Sequence, residues 1–100
     1  MTAYIIVDID VHNTEKYPEY LAQITPTVFA CGGRYLVRGG KAEKISGIWQ
    51  PQRLVVMEFP TLTIAQHWAT CDEYAPIHAL RNQYATANMI IVEGSIDFVI

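Results

Sequence analysis

Two spacings of apolar residues alternate along this chain, and their order restricts the fold more than any other feature. Some segments repeat every second residue, as strands do, and others repeat every three or four residues, as helices do. The segments are strands over 3–11, 34–38, 53–59 and 89–94, and helical segments over 15–31 and 63–84, the second of which is broken at 71–72. The predicted order is therefore β-α-β-β-α-β.

This order predicts an α+β fold of the ferredoxin-like type. Its antiparallel sheet has the strand order 4-1-3-2, and both helical segments pack on one face of the sheet. Residues 95–100 again alternate apolar and polar side chains, which predicts a C-terminal extension forming a short fifth strand.

Local signals place the helix ends. Asn13 is predicted to cap the first helix, Pro26 to kink or restart it, and Gly32 to end it. Thr63, followed three residues later by Gln66, is a capping-box pattern and predicts the start of the second helical segment.

Length and composition limit the class of protein. One hundred residues predict a single domain over 1–100, and 51% apolar residues can build its core without disulfides or metal. The net charge of −3 argues against nucleic-acid binding, which needs a basic surface. Two cysteines far apart in sequence predict reduced thiols, and the short apolar run at the start predicts a strand rather than a signal peptide. No transmembrane stretch or metal-binding pattern is present in the sequence, so we expect a cytoplasmic protein without membrane partners or metal.

The strand patterns predict that the sheet face away from the helices is also apolar. The sides expected to face the helices contain Ile5, Val7, Ile9, Val55, Met57, Phe59, Ile90 and Val92. The opposite sides, largely apolar but with embedded acids, contain Tyr4, Ile6, Asp8, Asp10, Leu54, Val56, Glu58, Met89, Ile91 and Glu93. Such a large apolar patch is not expected to stay in water. A second copy of the sheet is the natural cover, so the sequence predicts a homodimer.

The stretch GGRYLVRGG, residues 32–40, is predicted to place two arginines together. Residues two apart in a strand share a face, so Arg34 and Arg38 should lie on one side, and the Gly39–Gly40 pair favours a bulge or bend after them. The neighbouring strand brings Glu58 to the same sheet. Two interpretations stay open: a structural salt-bridge cluster of arginines and acids, or a cluster that binds a ligand or performs acid–base chemistry.

Several stretches resemble one known family. They are YIIVDIDV, Tyr17 and Tyr20, GGRYLVRGG, W-x-P-x-R at 49–53, LVVMEFP, Trp68, Glu73-Tyr74, Leu80-Arg81 and IIVEG. Together they resemble domain of unknown function 1330, in the dimeric α–β barrel superfamily, over residues 3–94. The resemblance implies a ferredoxin-like subunit and a homodimer whose sheets face each other. It implies no particular reaction.

Other branches of that superfamily are similar in architecture and include haem-degrading monooxygenases. These use an Asn on the first strand, a Trp on the second helix and a haem-ligating His ten residues later. Asp8, Trp68 and His78 stand at similar spacing here, with Asp8 in place of the Asn. The resemblance thus implies a haem-related monooxygenase as an alternative. The residues themselves favour core packing for Trp68 and a polar position beside the core for His78.

The resulting functional hypothesis is a small homodimer that binds a small organic molecule, acidic or carbonyl-containing, between sheet and helices, as a possible cofactor-free isomerase or monooxygenase. If it is an enzyme, Asp8 or Glu58 is the predicted base. The predicted ligand-contacting residues are Arg34, Arg38, Tyr17, Trp68, Glu93 and His78. No cofactor is predicted. A non-catalytic dimeric binding or scaffold module is the further alternative.

Overall fold

A computed structural model describes residues 1–95 of the protein. The elements are β1 (Ala3–Val11), α1 (Tyr17–Ala30), β2 (Arg34–Gly40), β3 (Leu54–Phe59), α2 (Leu62–Thr70), α3 (Ala75–Tyr84) and β4 (Ala85–Glu93). The four strands form one antiparallel sheet in the order β2-β3-β1-β4, which confirms the predicted strand order. Residues 96–100 lie outside the described part, and with them most of the predicted fifth strand. Within residues 1–95, no helix has the length and hydropathy needed to cross a membrane.

The core lies between the sheet and the helices. In β1, Ile5, Val7 and Ile9 alternate with more exposed residues, and in β3 the buried side consists of Val55, Met57 and Phe59. The predicted orientations of β1 and β3 are therefore confirmed. Each fully buried side chain of this size contributes about 1.5–3 kcal/mol of transfer free energy.

β4 has the opposite orientation to the predicted one. Met89, Ile91 and Glu93 each pair with a buried residue of β1, so they point to the helices, and Glu93 lies exposed at the end of the strand. Ile90 and Val92 are 59% and 44% exposed on the other face. The prediction was wrong because both sides of this strand are apolar, and only the pairing with β1 fixes the register.

We call the sheet surface opposite the helices the open face. The strand pairing assigns to it Tyr4, Ile6, Asp8, Arg34, Val37, Leu54, Val56, Glu58, Asn88, Ile90 and Val92. No other element of residues 1–95 covers Ile90 or Val92 completely. The open face is therefore apolar at its centre and carries its acids toward its ends.

Helix α1 ends where the sequence predicts but starts differently. Gly32 adopts a φ of +75° just after the helix, and its N–H donates to the carbonyl oxygen of Phe29. This left-handed conformation suits glycine, so the predicted helix end is confirmed. The Asn13 side chain accepts from the Lys16 N–H in a turn before the helix. The helix continues through Pro26 without restarting.

Helix α2 begins two residues earlier than the capping-box pattern predicts. The cap is Thr61, whose hydroxyl oxygen accepts from the Ile64 N–H at 3.1 Å. The predicted box of Thr63 and Gln66 is wrong, because those residues already lie inside the helix. Thr61 follows Pro60, which ends β3, so the chain turns directly from strand to helix.

A bulge in β2 separates the two arginines of GGRYLVRGG. Tyr35 and Val37 pair with successive residues of β3, which leaves Leu36 as an extra residue. Arg34 therefore lies on the open face and Arg38 on the helix face. The prediction that they share a face was wrong, because it assumed an unbroken two-residue alternation. The predicted irregularity at Gly39–Gly40 is confirmed by a second shift in register.

Candidate ligand-binding site

A cleft lies between the helix face of the sheet and helix α1. Its enclosed part measures about 30 Å³, and the empty space including the open mouth is about 410 Å³. Aliphatic side chains of β1 and β3 form its floor. Its polar and aromatic lining consists of Tyr17, Tyr20, Tyr35, Arg38, Arg53 and Trp68. The enclosed part has room for about one water molecule, so only a small chemical group fits there without movement.

Two arginines reach this cleft over aromatic rings. The Arg38 guanidinium lies 4.2 Å from the centre of the Tyr35 ring and donates to the Thr25 hydroxyl. The Arg53 guanidinium lies 5.7 Å from the centre of the Tyr17 ring. Both placements fit cation–π contact, which holds a charged group against an apolar wall.

Gly39 makes room for Arg53. A Cβ atom at this position would lie 2.9 Å from Cζ of Arg53, and the backbone φ is +77°. Any other residue would therefore strain the backbone and push the guanidinium away. The second glycine pair of GGRYLVRGG thus helps to position an arginine that lies outside the motif.

The two tyrosines of α1 present phenol groups to the same region. The rings of Tyr17 and Tyr20 are 5.6 Å apart. Burial raises the pKa of Tyr20 to about 12, although the nearby Arg81 opposes this shift, and burial also raises the pKa of Tyr17. Both groups are therefore protonated near neutral pH and can donate hydrogen bonds.

Two arginine nitrogens near these tyrosines are buried without a partner. Among the described residues, neither Nε of Arg53 nor Nη1 of Arg81 has a hydrogen-bond acceptor. The other donors of Arg81, Nε and Nη2, both bond to Oδ1 of Asn82. Unpaired donors are uncommon in protein interiors, so these two require an explanation.

The predicted catalytic acids lie on the opposite side of the sheet from the cleft. Asp8 accepts from Nε1 of Trp49 at 2.9 Å and from the Gln52 N–H at 3.1 Å, which fixes the loop before β3. Glu58 pairs with Nε of Arg34 at 2.8 Å. Their positions are separated by four residues along β1, or about 13 Å. The expected cluster of neighbouring acids is therefore absent from the described residues.

Trp68, in the core, packs against His78, which is partly buried beside it. Trp68 is 1% exposed, and its Nε1 donates to the Thr27 hydroxyl at 2.9 Å, while its ring also borders the cleft. Nε2 of His78 donates to the carbonyl oxygen of Trp68 at 3.1 Å, and the two rings meet edge to face at 4.8 Å. His78 does not line the cleft. To bind a haem iron through Nε2, it would have to give up this hydrogen bond.

Burial makes His78 a source of acid sensitivity. It lowers the pKa of His78 from 6.5, an effect that the bond to the Trp68 carbonyl partly opposes. The unfolded chain then binds the proton more readily than the native one. The stabilising contribution of neutral His78 is thus complete above about pH 6.5 and declines as the pH falls.

The free energy of unfolding of the parent should fall as the pH is lowered from about 7.5 to about 5. We expect a smaller fall in His78→Gln, because glutamine does not bind a proton in this range. Denaturant melts at several pH values measure this, and His67→Gln, on an exposed face of α2, is the matched control. If the pH dependence of the His78 variant equals that of the parent, burial does not keep this histidine neutral.

Sequence reasoning found some residues of the cleft and missed others. Tyr17, Trp68 and Arg38 were predicted and do line it. Arg53, which also lines it, was given no role, although it lies in a stretch that carries the family resemblance. A weak signal was thus available, but the sequence does not reveal which side chains from three different elements approach one another.

The described residues show no group of three or more metal-ligating side chains.

Comparison with known proteins supports the fold and gives no activity. RPA0582, a protein of unknown function from Rhodopseudomonas palustris, has a crystal structure similar to this chain, with a TM-score of 0.73 and 14% identity. The match covers 95% of this chain and 83% of that one. A second structure, of methylated RPA0582, gives the same TM-score and identity and covers 82% of that chain.

No curated protein is detectably similar to this chain. At the sequence level, the family model described as Domain of unknown function (DUF1330) matches residues 2–95, nearly the whole chain. The protein therefore belongs to the DUF1330 family.

Proposed function

We propose that the protein is a homodimer that binds a small, partly apolar organic molecule in the cleft between sheet and helices. The observation that carries this proposal is the lining of the cleft, where three tyrosines and a tryptophan surround a space with an open mouth. Binding sites for small organic molecules are concave and largely apolar, with a few polar groups that orient the ligand. The phenol groups and guanidiniums supply those polar groups.

The open face supports the dimer. Ile90, Val92 and Val37 are exposed there, next to the partly buried Ile6 and Val56. Covering this surface with a second copy would remove it from water, and an obligate pair would bury roughly 2,000 Å² or more in total. Because the cleft lies on the other side of the sheet, dimerisation through the open face leaves its mouth accessible.

A screen of small molecules tests the binding proposal. We expect at least one neutral or anionic organic fragment of two to about ten heavy atoms to raise the melting temperature, because a ligand that binds only the native state stabilises it. Calorimetry then gives the affinity.

Two tryptophan variants show whether the ligand binds in the cleft or elsewhere on the protein. Leu21→Trp should fill the cleft, which Leu21 lines, and abolish the effect. Ala22→Trp, at the exposed next position, is the matched control and should bind like the parent. Binding that persists in Leu21→Trp would place the ligand elsewhere. A screen in which nothing binds would favour the non-catalytic scaffold over a ligand-binding protein.

A further inference from the structure

We propose that the ligand of this cleft carries a carboxylate, held by Arg53 with Arg38 and Arg81 adding positive charge. This inference rests on the proposed function, because it names the chemical class of the molecule bound there. It assigns the anion to an arginine that is distant in sequence from the GGRYLVRGG motif.

The first support is the lack of acids around these arginines. The sequence contains ten Asp and Glu residues, yet in residues 1–95 no carboxylate forms a salt bridge with Arg38, Arg53 or Arg81. Arg34, on the open face, is the arginine of the described residues that does pair with an acid, Glu58. Two arginines without an acid partner, Arg38 and Arg53, therefore line the cleft of a chain whose net charge is −3, and Arg81 lies near Tyr20.

The second support is the pair of buried nitrogens without partners. An unpaired N–H of a guanidinium destabilises the fold, because its bond to water is lost and not replaced. Nε of Arg53 is in this state, and Arg53 lines the cleft directly. Nε is closed to solvent, so an anion entering from the mouth can supply the missing acceptor only when the Arg53 side chain turns this nitrogen toward the cleft.

The shape and chemistry of the space favour a carboxylate on an apolar body. The enclosed part, about 30 Å³, accepts a small group, while the wider mouth is bordered by rings and aliphatic side chains. A guanidinium presents parallel donors that match the two oxygens of a carboxylate. The protonated hydroxyls of Tyr17 and Tyr20 can donate to the same oxygens.

Matched pairs of acids and amides test this inference. Acetate, butyrate, benzoate and phenylacetate are titrated against acetamide, butyramide, benzamide and phenylacetamide, which have similar shapes but no charge. We expect at least one acid to bind the parent at least tenfold more tightly than its amide. We expect Arg53→Met, which removes the charge and keeps an apolar chain, to lose this preference.

Two further measurements separate a ligand role from a structural one. If Arg53 exists to bind an anion, Arg53→Met without ligand should melt no lower than the parent, because it removes an unpaired buried donor. Gly39→Ala should weaken acid binding by displacing the guanidinium, although it leaves Arg53 in the chain. Arg34→Ala, on the open face, is the control and should keep the parent's preference for the acid.

The outcomes distinguish failure of this inference from failure of the proposed function. Equal binding of acid and amide would overturn the carboxylate site while keeping the cleft as a binding site. Acid binding that is unchanged in Arg53→Met, together with a lower melting temperature, would make Arg53 a structural residue. If no acid and no amide binds, the proposed function fails as well.

Discussion

Replacing Trp68 by Ala is expected to lower the free energy of unfolding by about 4 kcal/mol, the usual cost of removing a buried aromatic side chain. Trp68 is 1% exposed and packs against Phe59, with ring centres 5.4 Å apart. The change also leaves the buried Thr27 hydroxyl without the donor that Nε1 supplies. Denaturant melts at a fixed protein concentration measure the loss.

The other tryptophan provides the matched control. Trp49 is 60% exposed, and the hydrogen bond from its indole N–H to Asp8 is worth about 1 kcal/mol. The free energy of unfolding of a whole domain is only about 5–15 kcal/mol, so Trp68→Ala can unfold the protein. Trp68→Phe is therefore measured as well, and it should lower the free energy of unfolding by less. If Trp49→Ala costs as much as Trp68→Ala, Trp68 does not anchor the core.

Replacing Ile90 by Asp is expected to convert the proposed homodimer to a monomer. Ile90 pairs with Ile6 on the open face, and Ile6 also pairs with Val56, so this change places a charge at the centre of the proposed interface. In a single chain, Ile90 is 59% exposed and the substitution should be tolerated. Between two sheets, the carboxylate would be buried without a partner, which costs several kcal/mol.

Sedimentation measures this change directly. The parent should have a mass of about 22.6 kDa at micromolar concentration, twice the 11.3 kDa of one chain, and Ile90→Asp should have the mass of one chain. Gln66→Asp, on an exposed face of α2, is the control and should remain dimeric. A parent that sediments as a monomer would remove the proposed role of the open face.

The sequence predicted those parts of the fold in which local pattern decides the structure. β1 and β3 each have one wholly apolar side, so their orientation could be predicted without a partner strand. β4 is apolar on both sides, and its orientation depends on long-range pairing with β1. The bulge at Leu36 also had no clear local signal, and it moved Arg38 away from the face of Arg34.

The candidate site was harder to predict because it depends on contacts between distant segments. Arg53 comes from the residue before β3, Tyr17 from the start of α1, and Arg38 from β2. Asp8 and Glu58 were predicted as catalytic acids because they lie in apolar strands. In the structure each is paired with another side chain on the open face, away from the cleft. Only the three-dimensional structure shows that no carboxylate of residues 1–95 pairs with Arg53.

NMR of the parent protein with ¹⁵N-labelled arginine shows most directly whether an organic acid binds at Arg53. The acid that binds most tightly in calorimetry is titrated, and the four Nε–H signals are followed. We expect the Arg53 signal to shift with saturation and the Arg34 signal, from the open face, to stay in place. A shift at Arg34 with none at Arg53 would contradict the account.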